Sequence, residues 1–161
     1  MSKYFTFKTG KSAGKSIEQV AAEDYCRLLW VLNNTLRNAD NAFKKRAEEV
    51  AYKLDNFVPA VKCKADGCEE TARNISIVLS LPHGISVSTS YVYCEKQECL
   101  DTIIYEKAGV YPIKFGILEA FPAFPRWVRR DISKVLLECA GAPKRKTKEA
   151  CKKWIDSLVI D

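Results

Sequence analysis

Four cysteines fall in two matched pairs, Cys63/Cys68 and Cys94/Cys99, with four residues inside each pair. Thiolate sulfur is a soft ligand, and four thiolates complete a tetrahedral zinc site. A site closed in this way leaves no position open for substrate, so the Zn2+ would be structural, contributing folding free energy on the order of 10 kcal/mol. An iron–sulfur cluster takes the same ligands. The bland alternatives are four reduced core cysteines or two disulfides. The equal spacing on either side of a hairpin-like stretch favours a metal, and the lack of redox machinery elsewhere favours zinc. Gly67 suits a tight turn before Cys68, whereas Glu95-Lys96-Gln97-Glu98 holds no glycine. Lys62, Lys64 and Lys96 are placed to offset thiolate charge.

The segments that must deliver these cysteines read as strands. Asn74 to Leu81 and Ile85 to Tyr93 are rich in Ile, Val, Ser, Thr and Tyr, and Leu81-Pro82-His83-Gly84 is a turn signal between them. The hairpin puts one cysteine pair at each foot, a zinc-ribbon-like arrangement. His83, the sole histidine, sits in the far turn and reads as an exposed turn residue. Seven cysteines make an odd count, which fits poorly with a full set of disulfides. The remaining three, Cys26, Cys139 and Cys151, lie in helical patterns and read as buried free thiols.

The flanking regions are helical. Tyr4 to Lys8 reads as a short strand. Ser16 and Gln19 form a capping box for a helix with Ile17, Val20 and Ala21 inward. A second helix starts after Glu23 or Asp24, with Tyr25, Leu28, Leu29 and Leu32 on one face, widened by Trp30 and Val31. A third runs from about Ala42 to Asn56, with Phe43, Ala47, Val50, Ala51 and Leu54 inward. Pro112, Pro122 and Pro125 break the chain before a helix from Arg126 to Ala140, whose apolar side includes Trp127, Val128, Ile132, Val135, Leu136 and Cys139. Lys146 to Leu158 forms the last helix, with Ala150, Trp154 and Leu158 as its stripe. The fold class is α+β. Residues 1–58 form a strand/helix module, 59–111 the zinc-ribbon-like module and 112–161 a basic helical region, separate or packed as one unit.

The chain has 161 residues with 26 basic and 20 acidic side chains, a net charge of +6. The ends hold the excess. Lys3, Lys8, Lys11 and Lys15 precede the first acid, and ten basic residues from Arg126 to Lys153 face only Asp131, Glu138 and Glu149. The candidate phosphate contacts are Lys8, Lys11, Lys15, Arg126, Arg129, Arg130, Lys134, Lys144, Arg145, Lys146, Lys148, Lys152 and Lys153. The basic ends could form two surfaces or fold into one. Gly10 to Ser16 is not a nucleotide-binding P-loop, because three residues stand where that loop needs four.

Phe7-x-x-Gly10-Lys11-x-x-Gly14-Lys15-Ser16-Ile17-x-x-Val20, with Asp24-Tyr25 and Leu29-Trp30, resembles the carboxyl-terminal module of exodeoxyribonuclease X-like proteins over about residues 4 to 34. That module also occurs in bacterial and phage proteins. The resemblance implies an auxiliary role in replication, repair or transcription, a viral or phage setting, and helix packing by Tyr25 and Trp30. It does not extend to the family's catalytic domain.

The expected function is a zinc-containing protein that binds nucleic acid, DNA or RNA with DNA favoured, through the phosphate backbone and without catalysis. The alternative is a protein-interaction adaptor built on the zinc ribbon, with Tyr91, Tyr93 and Tyr105 exposed to a protein partner. A metal-dependent nuclease using Asp66, Glu69, Glu70 and Asp101 ranks last, since one histidine offers little general-base chemistry. No signal peptide or membrane-spanning run is read, so the expected location is intracellular.

Overall fold

The computed structural model describes residues 4–34, 40–80, 84–86, 91–103, 108–120 and 126–161. In chain order the elements are α1 (Ile17–Glu23), α2 (Tyr25–Asn34), α3 (Asn41–Asp55), β1 (Asn74–Ser80), β2 (Gly84–Ser86), β3 (Val92–Tyr93), α4 (Gln97–Leu100), β4 (Ala108–Pro112), α5 (Arg126–Cys139) and α6 (Lys148–Ser157). Short 3-10 turns cover Gly10–Ser12 and Phe115–Ala120. The class is α+β. The expected turn Leu81-Pro82-His83, with Lys3, Tyr105, Pro122 and Pro125, lies outside the described residues.

Two compact units emerge, and their boundaries do not follow the chain in consecutive thirds. One joins Met1–Phe57 to Ala142–Asp161, and the other is Val58–Gly141. Thus α6 belongs with the amino-terminal helices, and α5 with the sheet.

In the first unit the capping box forms as the sequence requires. The Gln19 N–H donates to Ser16 Oγ at 3.3 Å, and the Ser16 N–H donates to Gln19 Oε1 at 3.0 Å. Ile17, Val20, Ala21, Tyr25, Leu28, Val50, Leu54 and Ile155 fill the core. Tyr4 to Lys8 is not a sheet strand. It folds back on its own loop, where the Phe7 N–H donates to the Lys15 carbonyl at 3.0 Å and the Gly14 N–H donates to the Phe7 carbonyl at 2.9 Å. Phe43, expected inward, is half-buried and meets Phe7 edge-on at 5.2 Å between ring centroids. Arg46 of α3 ties three helices together. Its Nε donates to Glu18 of α1 at 2.9 Å, and its terminal nitrogens donate to Glu49 at 2.9 Å and to Asp156 of α6 at 2.8 Å. Burial opposes the Arg46 charge, but these carboxylates outweigh it and hold the guanidinium above its ordinary pKa.

Two tryptophans depart from expectation. Trp30 is 53 % exposed, because the buried stripe Tyr25–Leu28–Val31 leaves position 30 beside Arg27 and Asn34 on the polar side. On α5 the stripe Val128–Ile132–Val135–Cys139 is buried, and Trp127 falls one step off it, beside Asp131 and Lys134, with 46 % exposed. On α6 the core stripe is Cys151–Trp154–Ile155, while Ala150 and Leu158 lie at its half-buried margins.

In the second unit β1 is the centre of an antiparallel sheet. Asn74 and Ile75 pair with both β3 and β4, and Val78 pairs with both β2 and β4. Therefore β4 holds one edge of β1, and β2 and β3 share the other. Ile75, Ser76, Ile77 and Val78 are all buried, so both faces of β1 are covered. The turn Phe115–Ala120 packs on α5.

Candidate metal centre

The first cysteine pair sits in a narrow loop closed at its base. Lys62 bridges Thr71, the Ala72 N–H donates to the Val61 carbonyl at 2.9 Å, and the Cys63 N–H donates to the Glu70 carbonyl at 2.8 Å. Gly67 reverses the chain at φ +73°, a left-handed conformation that a Cβ would strain. The Cys68 N–H then donates to the Ala65 carbonyl at 3.1 Å. β3 delivers the second pair. Its Tyr93 carbonyl accepts from the Arg73 N–H at 2.8 Å, which extends the β1–β3 ladder to the foot of the hairpin. Cys94 follows, and Lys96 starts the short helix α4 that carries Cys99. The glycine-free segment is therefore a helical turn. The two halves meet directly where the Lys64 N–H donates to the Val92 carbonyl at 2.9 Å.

These constraints bring the four Sγ atoms within 4.8 Å of one another. Cys63, Cys94 and Cys99 are buried and Cys68 is half-buried, with Ala65 and Tyr93 packed around them. The thiols are free, and Cys68 Sγ lies 3.8 Å from Cys94 Sγ. The cluster can hold a metal ion. Among the described residues it is the sole group of three or more potential His, Cys, Asp or Glu ligands at such range.

The electrostatics fit a cation. Burial disfavours the Cys63 thiolate, yet the backbone N–H groups of Ala65 and Cys94, with the neighbouring thiols, bring its pKa down to about 7. Burial pushes the Cys99 thiol up, and the surrounding thiols and the Cys63 charge push it further. At Cys68 the Glu70 N–H favours the thiolate, but burial and neighbouring thiols outweigh it and the pKa rises. The protein alone favours the Cys63 thiolate and resists those of Cys68 and Cys99. A bound cation reverses that resistance.

Two of the lysines expected as counter-charges pair with acids, and Lys96 also feels the Cys68 charge. Lys62 pairs with Glu69, and Lys96 pairs with Glu70 at 3.1 Å. Asp101 accepts from Gln97 Nε2 at 2.7 Å. Among the described residues Asp66, Glu69, Glu70 and Asp101 form no group of three or more at metal-ligating range. Tyr91 and Tyr93, expected exposed, are half-buried, and Tyr93 packs on the cysteine cluster.

The basic residues divide between the units. Arg126, Arg129, Arg130 and Lys134 stand on α5 in the second unit, where Lys134 pairs with Asp131 at 3.1 Å. The rest belong to the first unit. There Gln19 Nε2 donates to the Lys146 carbonyl at 2.7 Å, which bonds the turn before α6 to the first turn of α1. Lys15 pairs with Glu23, and Lys152 pairs with Asp156. Lys146 and Lys148 are half-buried, and Lys8, Lys11, Lys144, Arg145 and Lys153 are exposed. The first unit holds 16 basic and 10 acidic residues and the second holds 10 of each, so the whole excess of six resides in the first. Periodicity could not reveal this partition, because it depends on the two chain ends meeting. Among the described residues no helix is long and apolar enough to cross a membrane.

Comparison with protein-family models, with curated proteins and with solved structures finds no match to this chain.

Proposed function

We propose that this is a zinc-stapled protein that binds the phosphate backbone of nucleic acid without catalysing a reaction on it. Zinc is the favoured ion on geometric grounds. Four sulfurs at about 2.3 Å from one Zn2+ lie roughly 3.8 Å apart along each tetrahedral edge, and the Cys68–Cys94 separation is 3.8 Å. A polynuclear iron–sulfur cluster places several atoms between its ligands and needs a wider cage. Zinc would act as a fold determinant, locking the foot of the hairpin.

The observation that carries the nucleic-acid reading is the charge partition. The +6 charge sits on one unit, and Lys8, Lys11, Lys144, Arg145 and Lys153 are exposed there without an ion pair among the described residues. Such groups release counterions on meeting a polyanion. If these five neutralise phosphates, the binding constant falls with salt at a log–log slope of about −4.5 on duplex DNA. Titration of binding at several salt concentrations, with protein of measured metal content, is the test. A slope near zero overturns the reading. Capture of a protein that survives nuclease treatment, with no salt-dependent nucleic-acid binding, would favour the adaptor reading instead.

A further inference from the structure

Half of the Trp30 surface is open on a unit of strong positive charge, and the ring is nevertheless held in place. The guanidinium carbon of Arg27 lies over it, 5.9 Å from the ring centroid. This is within the range of a cation–π contact. The same guanidinium donates through Nε to Ser12 Oγ at 2.9 Å. Ser12 is buried, while Lys11 beside it in the turn Gly10–Ser12 is exposed, as is Lys8 just before. One arginine side chain therefore fixes an exposed indole next to a basic loop.

We propose that Trp30 is a stacking platform for an unpaired base, with Lys8 and Lys11 taking the adjoining phosphates, so that the ligand is single-stranded nucleic acid. This rests on the backbone-binding reading above and narrows it. A duplex hides the faces of its bases, whereas a single strand presents them to any flat aromatic surface. An indole already held by Arg27 loses little freedom when a base stacks on it. Lysines beside it supply the sequence-independent attraction that brings the strand there. Trp30 stands on the polar side of its helix with about half of its surface open, so an aromatic face is available to a base, and the net positive charge of this unit favours an anionic ligand.

The test is fluorescence anisotropy with labelled oligo(dT) and with a labelled duplex, using the full chain with its metal content verified. W30A should weaken oligo(dT) binding about tenfold, leave the salt slope unchanged and leave duplex binding untouched. W30F should retain most of the affinity, and W30L, apolar but without a π face, should behave like W30A. K11A should instead reduce the slope on oligo(dT) by about 0.7. Unchanged oligo(dT) affinity in W30A and W30L, with the slope intact, overturns the stacking inference and leaves backbone binding standing. Absence of salt-dependent binding to either probe overturns the backbone reading itself, and the stacking inference with it.

Discussion

Cys68 Sγ and Cys94 Sγ stand 3.8 Å apart across 26 positions of sequence. The gap is nearly twice a disulfide bond, which is about 2.0 Å, and it suits two ligands of one ion. The fold has thus drawn together thiols whose charges repel, and a dication is the group that makes such convergence favourable. Protein purified under reducing conditions should contain one equivalent of zinc by elemental analysis. Chelation, or the substitution C94S, should lower the thermal midpoint sharply, because the metal contributes on the order of 10 kcal/mol to sites of this kind. Metal-free protein that melts at the same temperature as the isolated native form would contradict this.

Among the described residues Arg46 is the one ion-pair partner of the buried Glu18 carboxylate, whose second oxygen makes no hydrogen bond there. Removing the guanidinium leaves that charge buried and uncompensated. R46A should therefore destabilise the protein by about 3–5 kcal/mol in urea unfolding. The double variant E18M/R46M, which replaces both ions with apolar volume, should recover most of the loss. Equal destabilisation in the single and double variants would show that Arg46 acts through packing alone.

Much of this arrangement is legible along the chain, and what is not follows from a few particular residues. Ser16, Gln19 and the paired cysteines signal their roles locally, through capping chemistry and spacing. Trp30 and Trp127 mislead because hydrophobicity alone assigns them to the core, whereas the angular position one step from the buried stripe places them outside. β4 is silent because Ala108-Gly-Val-Tyr-Pro112 carries a glycine and a proline, and only its place at the edge of the sheet makes the proline tolerable. The Gln19–Lys146 bond spans 127 positions, and no local pattern encodes it.

The two buried thiols outside the cluster give a pH dependence. Burial pushes the Cys139 thiol up to about 12 and the Cys151 thiol up to about 11, from the ordinary value of 9.0. Both pKa values are raised on folding, so the stability they contribute is full below pH 9 and is lost as pH rises towards 11–12. In that window the unfolded chain releases protons that the folded chain retains. Stability should fall by about 1.4 kcal/mol per pH unit for each thiol. Denaturant unfolding between pH 8 and pH 11 measures the slope, and C151A should make it shallower by one thiol. An identical slope in C151A would mean that other groups govern alkaline unfolding.

Tyr111 lies across the place where Gly109 would carry a side chain. A Cβ built at Gly109 falls 2.5 Å from Tyr111 Cε2 and 2.6 Å from its hydroxyl oxygen. The two residues share one face of β4 at a spacing of two, so the ring folds along its own strand over the glycine. G109A should force the ring away and destabilise the protein by about 1–3 kcal/mol. The backbone there is not left-handed, so the penalty is steric and vanishes with the ring. In a Y111A background the same alanine should be neutral or stabilising by a few tenths of a kcal/mol, since alanine restricts the unfolded chain more than glycine does. A double-mutant cycle in urea reads the coupling directly. Additive effects would show that Tyr111 does not depend on the missing side chain at position 109.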